Sequence, residues 1–475
     1  MIKIFTKYGV WLGSQGAILQ SVCALFFVFF LLSAIYIGHA DLDWHDQQRI
    51  SQILLLLSIA AFAVFLPQQN LPAPALYALL GIFILGLVSC FFSELPDWAF
   101  KEWARYGGLA LLAIILGGCA RKPVVRRFML WGMASVGFIH AFQFLVAYAS
   151  AFLSGMYMLD ADMLFRGFSN PRFFGQFQVM LLPVLAWLVL ECRQQERRRL
   201  AAVLLSVLAV QWCIALTLGG RGLWLGLAVS HAALFCVSRS FWRLLVIQLM
   251  AGLLGALLFV VMFHLTPDGL EITPRLRDTL RYTLSGRGPL WQWAWEMALA
   301  NPWLGAGPMH YSAIPGPIAA HPHQVILQWA AEWGFIATAL AMMLAGWGVI
   351  HGALYLRRSQ AGHPDAALWL AIVGALVLAQ VDGVFVMPYT ETWLAILTGL
   401  ALARWSTAAR PQPLQRYASV LLALPAVVIL SLVLLEDVPR LAENKQSYFK
   451  EHGGPYHPRF WQQGWIPMMS EPAIQ

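Results

Sequence analysis

Three clusters of polar residues interrupt an otherwise apolar chain. In LTLGGRGLWLGL, Arg221 stands among glycines between two apolar runs, where a ligand can approach the backbone closely. In PRLRDTLRYTLSGRGPLWQWAWEMALANPWLGAGP, residues 274–308, Arg287 follows a Ser-Gly turn at the entrance of a helical run whose free N–H groups suit an anion. In AAHPHQVILQWAAEWGF, residues 319–335, His321 and His323 flank a proline just ahead of a helical segment carrying Glu332. Arginine binds phosphate through a planar fork that donates two parallel hydrogen bonds. Imidazole titrates near neutral pH and suits proton transfer. Together these residues point to chemistry on a doubly charged, lipid-linked phosphate, with a histidine as general base.

Further polar groups belong to the same set. The stretch MLFRGFSNPRFFGQFQ, residues 163–178, supplies Arg166, Asn170 and Arg172, then Gln176 and Gln178, which enter an apolar helix. Polar side chains there are costly and tend to face a cavity. Asp382, in QVDGVFVMPYTE, is similarly placed, with Tyr389 in the loop after it. Plainer uses exist for each. Arg221 could snorkel at a helix end, and Arg275, Arg277 and Arg281 could hold anionic headgroups. The histidines could be solvated loop residues, and Gln176, Gln178 or Asp382 could cap a helix or bond within the bundle. Two imidazoles and one distant carboxylate are a poor metal ligand set, so neither metal nor other cofactor is expected. No P-loop, GxSxG, HExxH or kinase signature is present, so hydrolase and ATPase mechanisms have no support.

The elements that must position these residues are membrane helices. Of 475 residues, 60% are hydrophobic and only 11% charged, which excludes a soluble enzyme, a disordered chain and a nucleic-acid-binding module. The net charge of +8 then reflects membrane orientation and a demand for bound anions rather than nucleic acid. Thirteen apolar runs are legible, at about 17–38, 52–66, 75–93, 107–119, 128–150, 173–190, 200–218, 223–237, 244–264, 334–356, 366–382, 391–404 and 417–435. The first ends in Gly38-His39-Ala40 but is too long for a signal peptide, so it is read as a retained helix. The clusters RKPVVRR and CRQQERRR are separated by two helices and so share a side, which the positive-inside rule makes cytoplasmic. The loop at about 151–172, the long loop 265–333 and the tail 436–475 then face outward. The expected architecture is all-α: a polytopic membrane domain over 1–435 with about 12–13 transmembrane helices and a catalytic outer loop at 265–333, followed by the outer tail. WQWAWEMAL reads as an amphipathic helix on the membrane surface.

GGRGLWL, SGRGPLWQWAWEMALANPWLGAGP and HPHQVILQWAAEWG, in that order across a many-helix membrane protein, resemble the O-antigen ligase superfamily: lipopolysaccharide O-antigen ligases, pilin O-oligosaccharyltransferases and O-antigen polymerases. The motif-bearing part runs from about 160 to 400. The HPH form and SNPRFFGQFQ look most like the pilin branch. The resemblance implies a GT-C-like, metal-independent glycosyltransferase in the bacterial inner membrane. It would move a glycan en bloc from undecaprenyl pyrophosphate to an acceptor hydroxyl, on lipid A-core or a pilin Ser/Thr, at the periplasmic face. Arg221 and Arg287 match the family arginines that hold the pyrophosphate, and the HPH motif matches the histidine that activates the acceptor. His323 is favoured over His321 as the base because His323-Gln324 matches the family's His-Asn pair, with Gln324 in place of the usual asparagine. The alternatives are an O-antigen polymerase, whose acceptor is another lipid-linked repeat, and a lipid-linked-glycan transporter. The transporter would need its basic groups deep in the bundle rather than at its outer surface.

Overall fold

The computed structural model describes residues 18–38, 42–155, 158–159, 164–265, 271–272, 286–314, 319–358, 360–407, 411–453 and 456–466. Arg275, Arg277 and Arg281 lie outside the described residues. Every one of the thirteen apolar runs lies on a helix. These are α1 (Ile18–Leu32), α2 (Trp44–Ala61), α3 (Ala73–Phe92), α4 (Pro96–Cys119), α5 (Pro123–Leu153), α6 (Pro171–Gln194), α7 (Arg198–Leu218), α8 (Arg221–Val237), α9 (Trp242–Phe263), α11 (Val325–Leu356), α12 (His363–Leu378), α13 (Pro388–Trp405) and α14 (Pro413–Leu432). Two shorter helices join them: α10 (Arg287–Ala300) and α15 (Leu441–His452).

Among the described residues, seven helical stretches are long and apolar enough to cross a membrane: α3, α5, α6, α7, α9, α11 and the stretch running on from α14. Three more, α1, α8 and α12, are apolar but shorter. The remaining three, α2, α4 and α13, open with polar turns (WHDQQR, PDWAFKEWAR and PYTET), because those turns carry buried ionic groups described below. The chain is an all-α, multi-pass membrane protein.

Helix α6 runs through the middle of the bundle, its apolar stretch wholly enclosed, with α7 and α12 against it. Helix α4 packs on α2, α3, α13 and α14. Aromatic rings fill the space between α1, α6 and α13: Phe30 stacks on Tyr389 at 4.7 Å between centroids, and Phe168, Phe177 and Trp393 close around them. Helix α10 buries Leu290, Ala294 and Ala298, one stripe at intervals of four, against α11, and leaves Trp295 exposed.

Helix α11 is kinked at Gly334, whose backbone (φ 79°, ψ 166°) no side-chain-bearing residue adopts readily. The turn at 301–307 fills the kink: Phe335 N–H donates to Pro302 O (2.8 Å) and Ala306 N–H to Ala331 O (2.9 Å). A Cβ at Gly334 would lie 2.4 Å from the Trp303 carbonyl oxygen.

The bundle has two chemically different ends. At one, Arg121 binds Gln69 and the Thr407 carbonyl, Arg357 binds the Val237 carbonyl and Arg404 binds Asp365. The polar motifs gather at the other. There a two-residue parallel pairing, Met158–Leu159 with Glu271–Ile272, ties the 151–172 loop to the 265–333 loop, a link with no signal in the sequence.

Candidate functional site

The HPH loop sits immediately before α11. Gln324 is the N-cap: its Oε1 accepts the Leu327 N–H (2.5 Å) and its Nε2 donates to Gln380 Oε1 (3.2 Å). Trp291 of α10 donates from Nε1 to the Pro322 carbonyl (3.0 Å), fastening α10 to the loop. His323 is held in the left-handed region, φ 54°, which is unusual for a residue with a side chain. Its N–H donates to His321 Nδ1 (3.3 Å), and the two rings meet edge to face at 4.1 Å. That bond requires Nδ1 of His321 to be unprotonated.

Asp382 stands behind His323. Its Oδ1 lies 3.5 Å from His323 Nδ1, long for a hydrogen bond. A carboxylate there favours the tautomer that carries its proton on Nδ1 and leaves Nε2 able to accept one. Burial would raise the Asp382 carboxyl, but His323, the Gly383 N–H and Arg172 outweigh it and hold it below its ordinary value. Gly383 leaves the space that the His321 ring occupies: an added Cβ would lie 2.5 Å from His321 Cε1. His321 itself is buried, 3% exposed, and lies well below the usual histidine range because of burial, aided by His323, Arg459, His45 and His457.

Three arginines share a position: each lies in the first turn of a helix. Arg172 follows the N-cap Asn170 of α6, whose Oδ1 accepts the Arg172 N–H (2.9 Å). Arg221 opens α8 directly after Gly219-Gly220, with Gly219 at φ 58° closing α7. Arg287 opens α10 after Gly286, at φ 74°. Burial lowers the Arg287 guanidinium; Asp382 opposes this, and Arg172 and Arg221 add to it. Arg287 therefore lies in the field of Asp382, Arg172 and Arg221. Each of the three arginines stands at a helix N-terminus, where free backbone N–H groups add to its positive field. Helix starts of this kind suit an anion.

Other residues named from the sequence lie elsewhere. Glu332, expected to orient an imidazole, instead accepts from Arg459 (2.7 and 2.8 Å) and from the Tyr311 N–H (3.2 Å). Gln176 accepts from Thr390 Oγ1 (3.1 Å), and Gln178 donates to Gln211 Oε1 (3.0 Å), both inside the bundle. Tyr389 is on α13 rather than in a loop, fully enclosed by the aromatic rings of the core. All four side chains are buried. Arg459, by contrast, had no signal in the sequence, because nothing in its spacing links it to residues more than a hundred positions away.

Arg459 belongs to a buried ionic chain. Arg49 pairs with Glu391 (2.5 Å), Glu391 with Arg105, Arg105 with Glu102 (2.6 Å), Glu102 with Arg459 (3.1 Å) and Arg459 with Glu332 (2.7 Å). All six side chains are 1% exposed or less, and their charges balance. This chain is why α2, α4 and α13 are too polar to rank with the seven long apolar spans. Among the described residues no three His, Cys, Asp or Glu side chains are grouped to hold a metal ion.

The fold is a polytopic helical bundle with three helix-start arginines and a histidine–aspartate pair at one end. A family model described as O-antigen ligase matches residues 201–342, and the match supports membership of the O-antigen ligase superfamily. The matched span contains Arg221, Arg287, His321, His323 and Glu332; Arg172, Asp382 and Arg459 lie beyond it. No curated protein matches the chain. The family match supports a glycosyltransferase of the O-antigen ligase or polymerase type acting on lipid-linked glycans.

Proposed function

We propose that the protein transfers a glycan en bloc from undecaprenyl pyrophosphate to an acceptor hydroxyl, of lipid A-core or of a pilin Ser/Thr, at the periplasmic face of the bacterial inner membrane. The observation that carries this reading is the Asp382–His323 pair, with Arg172, Arg221 and Arg287 each in the first turn of a helix at the same end of the bundle. His323 Nε2 takes the proton of the acceptor hydroxyl. The oxygen attacks the anomeric carbon from the face opposite the pyrophosphate, the new glycosidic bond forms as the bond to the pyrophosphate oxygen breaks, and configuration inverts. Arg221, Arg287 and Arg172 meet the negative charge that grows on the departing pyrophosphate. Asp382 stabilises the imidazolium that results. His321 holds the His323 backbone, and Asn170 sets the first turn of α6 that presents Arg172.

The test is to incubate purified protein with an undecaprenyl-pyrophosphate glycan and either pilin or lipid A-core, then to determine the linkage of any conjugate. A conjugate of inverted anomeric configuration is expected with one acceptor. Extension of the donor glycan alone would make the protein a polymerase. A retained configuration would overturn the direct displacement.

A further inference from the structure

The HPH loop and the loop between α12 and α13 meet along a seam. The Val325 N–H donates to Ala379 O (3.0 Å) and Gln324 Nε2 to Gln380 Oε1 (3.2 Å). Asp382 stands 3.5 Å behind His323, and Gly383 lies against the His321 ring. The far end of the α12–α13 loop is fastened to the bundle. Thr390 Oγ1 donates to Val384 O (3.1 Å), Tyr106 Oη to Phe385 O (3.0 Å) and Arg49 Nη2 to Val386 O (2.6 Å). The HPH loop has supports of its own: Trp291 at Pro322, and the C-terminal stretch 456–466, where a Cβ added at Gly464 would lie 3.3 Å from that of Ala320. These supports hold each loop to the bundle, whereas the Val325–Ala379 and Gln324–Gln380 bonds hold the loops to each other.

We propose, on the functional reading above, that Gln380 is a positioning residue that sets Asp382 behind His323 through its bond to Gln324. The two side-chain amides form a relay of fixed polarity. The Leu376 carbonyl, on the last turn of α12, can only accept, so Gln380 gives it Nε2 (3.1 Å) and turns Oε1 toward Gln324. The Leu327 N–H, on the first turn of α11, can only donate, so Gln324 gives it Oε1 (2.5 Å) and turns Nε2 toward Gln380. The end of α12 is thereby locked to the start of α11, at a residue adjacent to His323 on one side and two before Asp382 on the other. The geometry there has little slack. At 3.5 Å, His323 Nδ1 and Asp382 Oδ1 stand just beyond ordinary hydrogen-bond range, so a small relative movement of the two loops decides whether the carboxylate holds the imidazole. A reacting group misplaced by about 1 Å can lose roughly a hundredfold in rate.

The experiment compares wild type, Gln380→Met, Gln324→Asn and the double variant, each as the full-length protein in nanodiscs. Methionine keeps the length of Gln380 and removes its amide. Asparagine can still cap α11 but is one methylene shorter and leaves Gln380 out of reach. Two readouts are taken on variants whose melting temperature shows them folded. One is kcat and donor KM for glycan transfer. The other is the ¹⁵N-histidine NMR spectrum, which reports the tautomer of His323, its signals assigned through their loss in His323→Asn. Each single variant should lower kcat by roughly tenfold to a hundredfold with donor KM unchanged. The double variant should lose no more than either alone, because both residues act through one bond. Wild-type His323 should carry its proton on Nδ1, and both variants should shift it toward Nε2. Folded variants with the wild-type tautomer and kcat would overturn the proposal. A raised donor KM at unchanged kcat would overturn it too, by making Gln380 a binding residue. If wild type transfers no glycan, the functional reading falls, and the His323 tautomer still decides whether Gln380 sets the pair.

Discussion

The two histidines are not equivalent, although two positions apart. His321 is buried against Gly383 and accepts a backbone N–H, whereas His323 faces Asp382 and is partly accessible. A hydroxyl acceptor is a poor nucleophile at neutral pH, and a positioned base contributes roughly 10²–10⁴-fold. His323→Ala is therefore expected to abolish glycan transfer, His321→Ala to impair it, and chelator to change neither. Near-normal turnover by His323→Ala would take the base role from it, and activity lost to EDTA and restored by a divalent cation would replace the base with a metal. The arginines act through geometry as well as charge. Arg221→Ala and Arg287→Ala should each lose transfer while the protein stays in the membrane. Lys should rescue poorly, since an ammonium cannot make the two-pronged contact with a phosphate. Wild-type transfer by both alanine variants would reduce these residues to interfacial anchors.

Among the elements, the break in α11 decides how the HPH loop meets the rest of the site. The first turns of α11 carry Gln324 and Glu332, and the remainder continues as a membrane span. Gly334 allows the change of direction, and the 301–307 turn occupies the space it opens. Gly334→Ala needs both a positive φ and room beside the Trp303 carbonyl, and the strain alone costs about 1–3 kcal/mol. The variant should unfold at lower temperature in detergent and transfer glycan more slowly. An unchanged melting temperature would show that the kink relaxes without cost. The same argument explains why α10 begins where it does: Gly286 turns the chain so that Arg287 enters the first turn and Trp291 reaches Pro322.

At the scale of the molecule, the bundle separates two kinds of positive charge. Arg121, Arg357 and Arg404 lie at one end, held by carbonyls, Gln69 and Asp365; Arg172, Arg221 and Arg287 lie at the other, each at a helix start. Short basic loops stay in the cytoplasm, which would place the site on the periplasmic side. With native cysteines replaced, Glu296→Cys should react with a membrane-impermeant maleimide in cells with a permeabilised outer membrane. Gln195→Cys should react only once the inner membrane is opened. The reverse pattern would invert the molecule and rule out a periplasmic reaction.

The sequence by itself determined the helices and the residues fit for chemistry. A stretch of about 20 apolar residues has one way to satisfy its backbone in a bilayer, so each apolar run became a helix. Arg221, Arg287, His321 and His323 were legible because glycine turns and a histidine–proline pair are unusual between such runs. Only the tertiary structure decided their partners. Asp382 was visible as an intramembrane acid, but its place behind His323 depends on how the loop between α12 and α13 meets the start of α11. Glu332 has the right spacing to reach an imidazole, yet a fully buried carboxylate takes the strongest cation within reach, and the fold brings Arg459 to it. Hydrophobic periodicity fixes what lies along a helix. Which buried charges meet is fixed by the requirement that none be left alone, and that is settled only when α2, α4, α11, α13 and the C-terminal stretch close on one another.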